Sequence, residues 1–214
     1  PTTTAVSCNG GNDGTAILNP SGGTGTLTTD WGTANPNALS AGTHFFTITD
    51  SNNCSLIDSI SITEPSAITS SSSTTNVSCN GGNDGTATLT LSGGTGALTA
   101  NWGTTNPNAL SAGTHIFNIS DSNNCSLTDS VSISEPAAIT SSFTTTDVDC
   151  YGDSTGSATV IFNGGVIGSA PGDTNYILSW DTLLYILPFF YATFTTPIGV
   201  PAGIYPYGVI DGNG

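Results

Sequence analysis

Lysine and arginine are absent from all 214 residues, while 15 are acidic, so the formal net charge is −15 and the isoelectric point about 4.1. That absence removes nucleic acid from the partners expected of the chain, because gripping phosphates and releasing counterions needs those two side chains. A P-loop, a Schiff-base lysine and an electrostatic hold on anionic lipid go with it. Charged residues of any kind make up only 7% of the sequence, so its polarity comes from Thr, Ser, Asn and Gly. Methionine is missing too, and no basic-then-apolar leader opens the chain, which reads as a piece of a longer protein. Long apolar runs are lacking as well. The longest, Leu183 to Phe194, is broken by Pro188 and falls short of the roughly 20 residues of a membrane helix, so no direct membrane insertion is expected.

What is present is a repeat. Cys8, Trp31, His44 and Cys54 recur as Cys79, Trp102, His115 and Cys125, each 71 positions later, and residues 8–66 match 79–137 at 45 of 59 positions without a gap. A third copy opens at Cys150 and then diverges, with 7 extra residues before Trp180 and 12 after it. Three modules follow: 1–66, 67–137, and a divergent 138–214 that carries an insert and stops inside its own repeat. Apolar residues alternate in each copy, as in Phe46 and Ile48 or Ile60 and Ile62, and the runs are separated by Asn, Gly, Asp and Pro. The spacing predicts six or seven short strands per copy and no helix. The fold class is therefore all-β, a tandem array of small immunoglobulin-like β-sandwich modules, with Trp31, Trp102 and Trp180 as core plugs on the third strand.

Cys8, Cys54, Cys79, Cys125 and Cys150 lie at repeating positions and predict disulfides in an oxidising compartment, since no Cys-x-x-Cys pair marks a zinc site. Two connectivities are open. Pairing within a module joins Cys8 to Cys54 and Cys79 to Cys125, and is favoured because each copy then holds a complete set. Pairing across the joint links Cys8 to Cys125. Asp50, Asp121 and Asp211 close the strand that carries His44, His115 or Tyr205, and offer oxygen ligands to calcium, although Asp and Asn at such places also serve ordinary turns. No other cofactor is indicated. The histidines are read as aromatic anchors rather than metal ligands. No nucleophile motif, phosphate loop or marked carboxylate pair is found, so the chain is expected not to be an enzyme. In the insert of the third copy, Tyr185, Phe189, Phe190 and Tyr191 form either a binding patch or a hairpin over that module's own core.

The run Cys79-Asn80-Gly81-Gly82-Asn83-Asp84-Gly85, then Ser92-Gly93-Gly94, Trp102, Ser111-Ala112-Gly113-Thr114-His115 and Asp121-Ser122-Asn123-Asn124-Cys125 before Glu135-Pro136, resembles the SprB repeat. The resemblance is close in the first two copies and partial in the third, where Gly152-Asp153-Ser154-Thr155-Gly156 replaces the Gly-Gly-Asn-Asp-Gly run. It implies an extracellular, type IX-secreted filament of a cell-surface adhesin of Bacteroidota, serving gliding motility or attachment. Its partners would be neighbouring modules of the same long chain, surface polysaccharide and other filaments. It also implies O-glycosylation at Asp-Ser/Thr motifs, with Ser59, Ser130, Ser154 and Thr182 as acceptors. Two functions are carried forward: a non-enzymatic structural stalk, and a carbohydrate-binding or accessory module of a secreted polysaccharide-degrading enzyme.

Overall fold

A computed structural model describes residues 1–152 and 155–165 and, as strands whose side chains are not described, 176–180, 183–187, 194–195 and 207–210. All regular structure among the described residues is β. The first copy holds β1 (Thr2–Thr4), β2 (Thr15–Ile17), β3 (Thr28–Asp30), β4 (Gly42–Thr49) and β5 (Ser55–Ile62). The second repeats them as β6 (Thr69–Thr75), β7 (Thr86–Ser92), β8 (Thr99–Asn101), β9 (Gly113–Ser120) and β10 (Ser126–Ile133). The third opens with β11 (Thr140–Thr146) and β12 (Ser157–Asn163), followed by β13 (Tyr176–Trp180), β14 (Leu183–Leu187), β15 (Phe194–Thr195) and β16 (Tyr207–Ile210).

Each of the first two copies is thus a two-stranded sheet, β1-β2 or β6-β7, and a three-stranded sheet, β3-β4-β5 or β8-β9-β10. These small antiparallel sheets fit tandem β-sandwich modules; the first two copies have five strands each rather than the expected six or seven, and the described part of the third has six. The missing strands have a physical cause. Segments 20–27 and 32–39 are rich in Gly, Pro and Asn and are held by local bonds, such as Asn35 Oδ1 accepting from the Asn37 amide at 3.0 Å, so they stay as turns. A single bridge between Gly14 and Leu39 ties one of them to the first sheet.

Strand β4 pairs with β5 in a register that sets Phe46 opposite Asp58, Ile48 opposite Leu56 and His44 opposite Ile60, so these side chains share the inner face. Val6, Ala16, Leu39, Phe46, Ile60 and Ile62 form the core, with Leu18, Trp31 and Ile48 packed on it. Trp31 follows the end of β3, is half-buried and leans on Phe46 with ring centroids 5.0 Å apart. It covers the core edge rather than filling the centre, and Trp102 does the same on Phe117 at 4.6 Å. Trp180 ends β13, and its side chain lies outside the described residues. The residues equivalent to the core positions, Val77, Ala87, Leu110, Phe117, Val131 and Ile133, are all buried.

By backbone packing the chain forms two compact units: Pro1–Ser73 with Thr88–Thr104 and Ile116–Ser130, and Thr74–Ala87 with Thr105–His115 and Val131–Gly214. Residues of the second copy are divided between them, so the units do not follow the repeat boundaries.

Gly14 shows how tightly the first copy is packed. A Cβ there would lie 2.7 Å from Ile62 Cγ2 and 2.8 Å from the Leu39 carbonyl oxygen, and backbone cannot step aside as a flexible side chain can. Gly14→Ala is therefore expected to destabilise the chain by about 1–3 kcal/mol in denaturant titration, whereas an unchanged midpoint would show that the close approach does not exist.

Candidate functional site

Residues that recur between the first two copies meet at the joint between them. In the first copy the Cys8-to-Gly14 turn is held from within by Gly11 donating to the Cys8 carbonyl at 3.0 Å and by the Ser7 amide donating to Asp13 Oδ1 at 2.9 Å. It is then latched to the end of its own module: Asn9 Nδ2 donates to the Pro65 carbonyl at 3.1 Å, and Glu64 accepts from the Gly10 amide at 2.5 Å. Asn80, Pro136, Glu135 and Gly81 repeat both bonds, at 3.0 and 2.7 Å. In the third copy the Thr155 hydroxyl takes the place of the turn Asp, accepting from the Asp149 amide at 2.9 Å. These bonds explain why the Asn-Gly-Gly-Asn-Asp-Gly run and the distant Glu-Pro recur together.

The second cysteine of each of the first two copies sits on a different device. Asp50 Oδ1 accepts from the amides of Asn52 and Cys54, both at 2.9 Å, and its Oδ2 accepts from Thr24 at 3.0 Å. Asn53 takes a φ of 66°, a left-handed conformation that Asn tolerates better than most residues. Asp121 repeats this with Asn123, Cys125 and Thr95 at 2.8, 2.9 and 2.8 Å, and Asn124 has φ 64°. Both carboxylates therefore have their oxygens on backbone amides. Asp211, the third calcium candidate, lies outside the described residues. Among the described residues no three His, Cys, Asp or Glu side chains gather as a metal-binding group.

Cys8 is bonded to Cys125, with Cα atoms 5.5 Å apart and 117 positions between them in sequence. The pairing favoured from sequence, Cys8 with Cys54 and Cys79 with Cys125, is overturned; Cys54, Cys79 and Cys150 are free. The reason is geometric. The turn after Cys8 is latched through Asn9 and Gly10 to Pro65 and Glu64, beyond the far end of β5, whereas Cys54 immediately precedes its start. Eight strand residues put the two about 27 Å apart, against a Cα limit of ~7 Å. The neighbouring copy brings its own cysteine within reach, and Asn123 Nδ2 donates to the Ser7 carbonyl at 3.0 Å beside the bridge. A closure of this length contributes roughly 4–5 kcal/mol on the chain-entropy estimate.

The linker is gripped on its other side by a double-glycine turn. The Gly94 amide donates to the Ser66 carbonyl at 2.9 Å, and a Cβ on Gly93 would fall inside the Ala67 carbonyl. Thr69 and Ser92 share a hydroxyl bond of 2.7 Å, and the Ser70 hydroxyl donates to the Asp129 carboxylate. At the next joint Gly165 donates to Ala137 at 2.7 Å, and Gly164 sits against Ala138. Gly93, Gly94 and Asn123 belong to the motif that carries the resemblance, but the sequence assigns them no role at the joint and does not single out Ser66. The signal was the recurrence of Gly-Gly at 22–23, 93–94 and 164–165, all six at positive φ.

His44 and His115 are half-buried and bond through Nε2 to the carbonyls of Ser40 and Ser111, both at 2.8 Å. Ser59 and Ser130 are exposed between buried Ile60 or Val131 and the acceptor Asp58 or Asp129. Ser154, Thr182, Phe189, Phe190 and Tyr191 lie outside the described residues, as does the side chain of Tyr185.

Segments 1–33, 71–99 and 142–171 match the family model of the SprB repeat. The likeness to the SprB repeat is thus shown at three segments, one in each copy. Each matched segment runs from the strand that opens a copy through the cysteine turn, so in the first two copies it takes in the residues that make up one side of the joint. No curated protein and no solved structure matches the chain. SprB repeats occur in cell-surface, adhesin-like repeat proteins, and a disulfide fits that extracellular setting.

The turn carboxylates set the acid limit of the joint. Burial raises the pKa of Asp121, but the amides of Thr95, Cys125 and Asn123 outweigh it and bring the group below the ordinary 3.8. The amides of Thr24 and Cys54 lower Asp50, and the Ser70 hydroxyl, with the Ser130 amide, lowers Asp129. A depressed folded-state pKa gives stability that is present above the unfolded value and lost as pH falls through the folded one. Denaturant midpoints are thus expected to hold from neutral pH down to about 5 and to decline below about 4, with Asp121→Asn less stable at neutral pH and flatter in acid. An Asp121→Asn profile parallel to the parent's would contradict this assignment.

Proposed function

We propose that the chain is a structural stalk segment of a large secreted cell-surface adhesin, in which tandem modules supply reach and mechanical resistance and carry no chemistry of their own. The observation that carries the reading is the Cys8–Cys125 bridge, which joins one copy to the next across their linker and encloses nearly two modules in one covalent loop. A module that worked alone as a binding or catalytic unit has no use for such a bond. A filament does, because tension that pulls on the ends then bypasses the folded residues inside the loop. The absence of Lys and Arg supports a role outside the cell, where trypsin-like proteases find no site. Within this reading the filament serves gliding motility or attachment, reaches the surface by type IX secretion, and carries O-glycans at Ser59 and Ser130, both of which face solvent.

Pulling single molecules from residues 1 and 214 tests the mechanical role. Under oxidising conditions the 117 positions between the bridged cysteines stay out of the extension. Adding a thiol reductant is expected to release roughly 400 Å of further contour length, at up to about 3.6 Å per residue. Equal extension with and without reductant would contradict the reading.

A further inference from the structure

The turn after the first cysteine carries a reactive pair as well as a latch. In Asn9-Gly10 and Asn80-Gly81 an asparagine precedes a residue with no Cβ, so no side chain shields the second residue's backbone nitrogen from the carboxamide before it. That nitrogen can attack Cγ of the asparagine. A C–N bond then forms, ammonia leaves with the proton of the attacking nitrogen, and a five-membered succinimide results. Water opens the ring to aspartate or to iso-aspartate, whose main chain runs through one extra methylene. Asn9, Gly10, Asn80 and Gly81 are all exposed, so water reaches them. What the fold withholds is the first step. The Asn9 carboxamide is committed to the Pro65 carbonyl at 3.1 Å, and the Gly10 N–H to the Glu64 carboxylate at 2.5 Å. Pro136 and Glu135 hold Asn80 and Gly81 in the same way, at 3.0 and 2.7 Å. Ring closure needs the carboxamide to swing onto a nitrogen that gives up its proton, and both moves break a bond to a segment 54 or 56 positions away. A carboxylate is too weak a base to strip an amide, and an N–H donated to an anion keeps its proton more firmly.

We propose that Asn9 and Asn80 are self-modification sites guarded by the Glu-Pro end of their own module: each stays an amide while its latch is closed and deamidates once the latch opens. The conversion runs one way. Aspartate at position 9 sets a carboxylate with no donor against the Glu64 carboxylate and the Pro65 carbonyl, three acceptors with nothing to share. The iso form lengthens a turn that Gly11 closes on the Cys8 carbonyl at 3.0 Å, as Gly82 does on Cys79. Either product keeps the latch from re-forming, so a module that has stood open is marked permanently. Each latch lies inside one compact unit, Asn9 with Glu64 and Pro65 in the first and Asn80 with Glu135 and Pro136 in the second, so the two sites are guarded separately. The third copy has Tyr151 in place of the asparagine and no such site in its turn. The chemistry is the same whether or not the chain serves as a stalk.

The test is incubation of the full oxidised chain at mildly alkaline pH, which speeds ring closure, with the exchange of NH2 for OH located by fragment mass and iso-aspartate measured at each site. Glu64→Ala is expected to raise the rate at Asn9 roughly tenfold, the loss of one charge-assisted hydrogen bond, while Asn80 keeps the parent rate. Glu135→Ala should reverse the pattern. Glu64→Gln, which retains an acceptor oxygen, should give a smaller rise at Asn9 alone. In denaturant the two sites should convert at one common, faster rate. Equal parent rates in the folded and denatured chain would overturn the proposal, as would a rise shared by both sites in Glu64→Gln. So would slower conversion in Glu64→Ala, which would make the carboxylate a base rather than a guard.

Discussion

A linker of a few residues between two small sandwiches is held from both sides here, by the Cys8–Cys125 bond and by the Gly93-Gly94 turn. The cysteines fix the approach of one module's first turn to the next module's last hairpin. The double glycine lets the linker backbone come nearer than any Cβ would allow. Neither contact works without the other. A disulfide alone would leave the linker free to swing, and the turn alone offers one amide bond and a pair of side-chain hydroxyl contacts against the conformational entropy of the linker, which amounts to about 1–2 kcal/mol per residue.

This arrangement is also how the chain manages its charge. With no cation to pair with, an acidic residue near the joint has only backbone amides and hydroxyls as partners. Asp50, Asp121, Asp13 and Asp129 all use them, and each is held below the ordinary carboxylate value. The same bonds shape the turns that present the cysteines, so the acids do structural work that lysine or arginine pairs do elsewhere. Carboxylates that are satisfied in this way are positioned by short local sequence, which is why the Asp-Ser-Asn-Asn-Cys run is retained intact between copies.

Much of the fold was legible because it depends on short-range pattern. The 71-residue period, the alternation in β4, β5, β9 and β10, and the absence of helical spacing all follow from side-chain periodicity, and the burial of Phe46, Ile60 and Ile62 agrees with it. In the first two copies the expected strand count exceeds the observed one because Gly- and Asn-rich segments alternate weakly without forming a ladder. Trp31 was placed too deep because its apolar character says nothing about its position just past the end of β3. The disulfide was the harder matter. Both pairings satisfy the same spacing, and only the length of β5, which separates Cys8 from Cys54, decides against the local one. The role of the double glycine was hidden for a related reason, since its partner belongs to the adjoining copy.

The most direct measurement is a disulfide map of the unreduced chain. Cleavage before each aspartate isolates Cys8 in residues 1–12, Cys54 in 50–57 and Cys125 in 121–128. The account predicts that 1–12 and 121–128 travel as one covalent species that separates on reduction, with 50–57 outside that pair. Recovery of 1–12 joined to 50–57, or of 1–12 and 121–128 as free thiols, would contradict it.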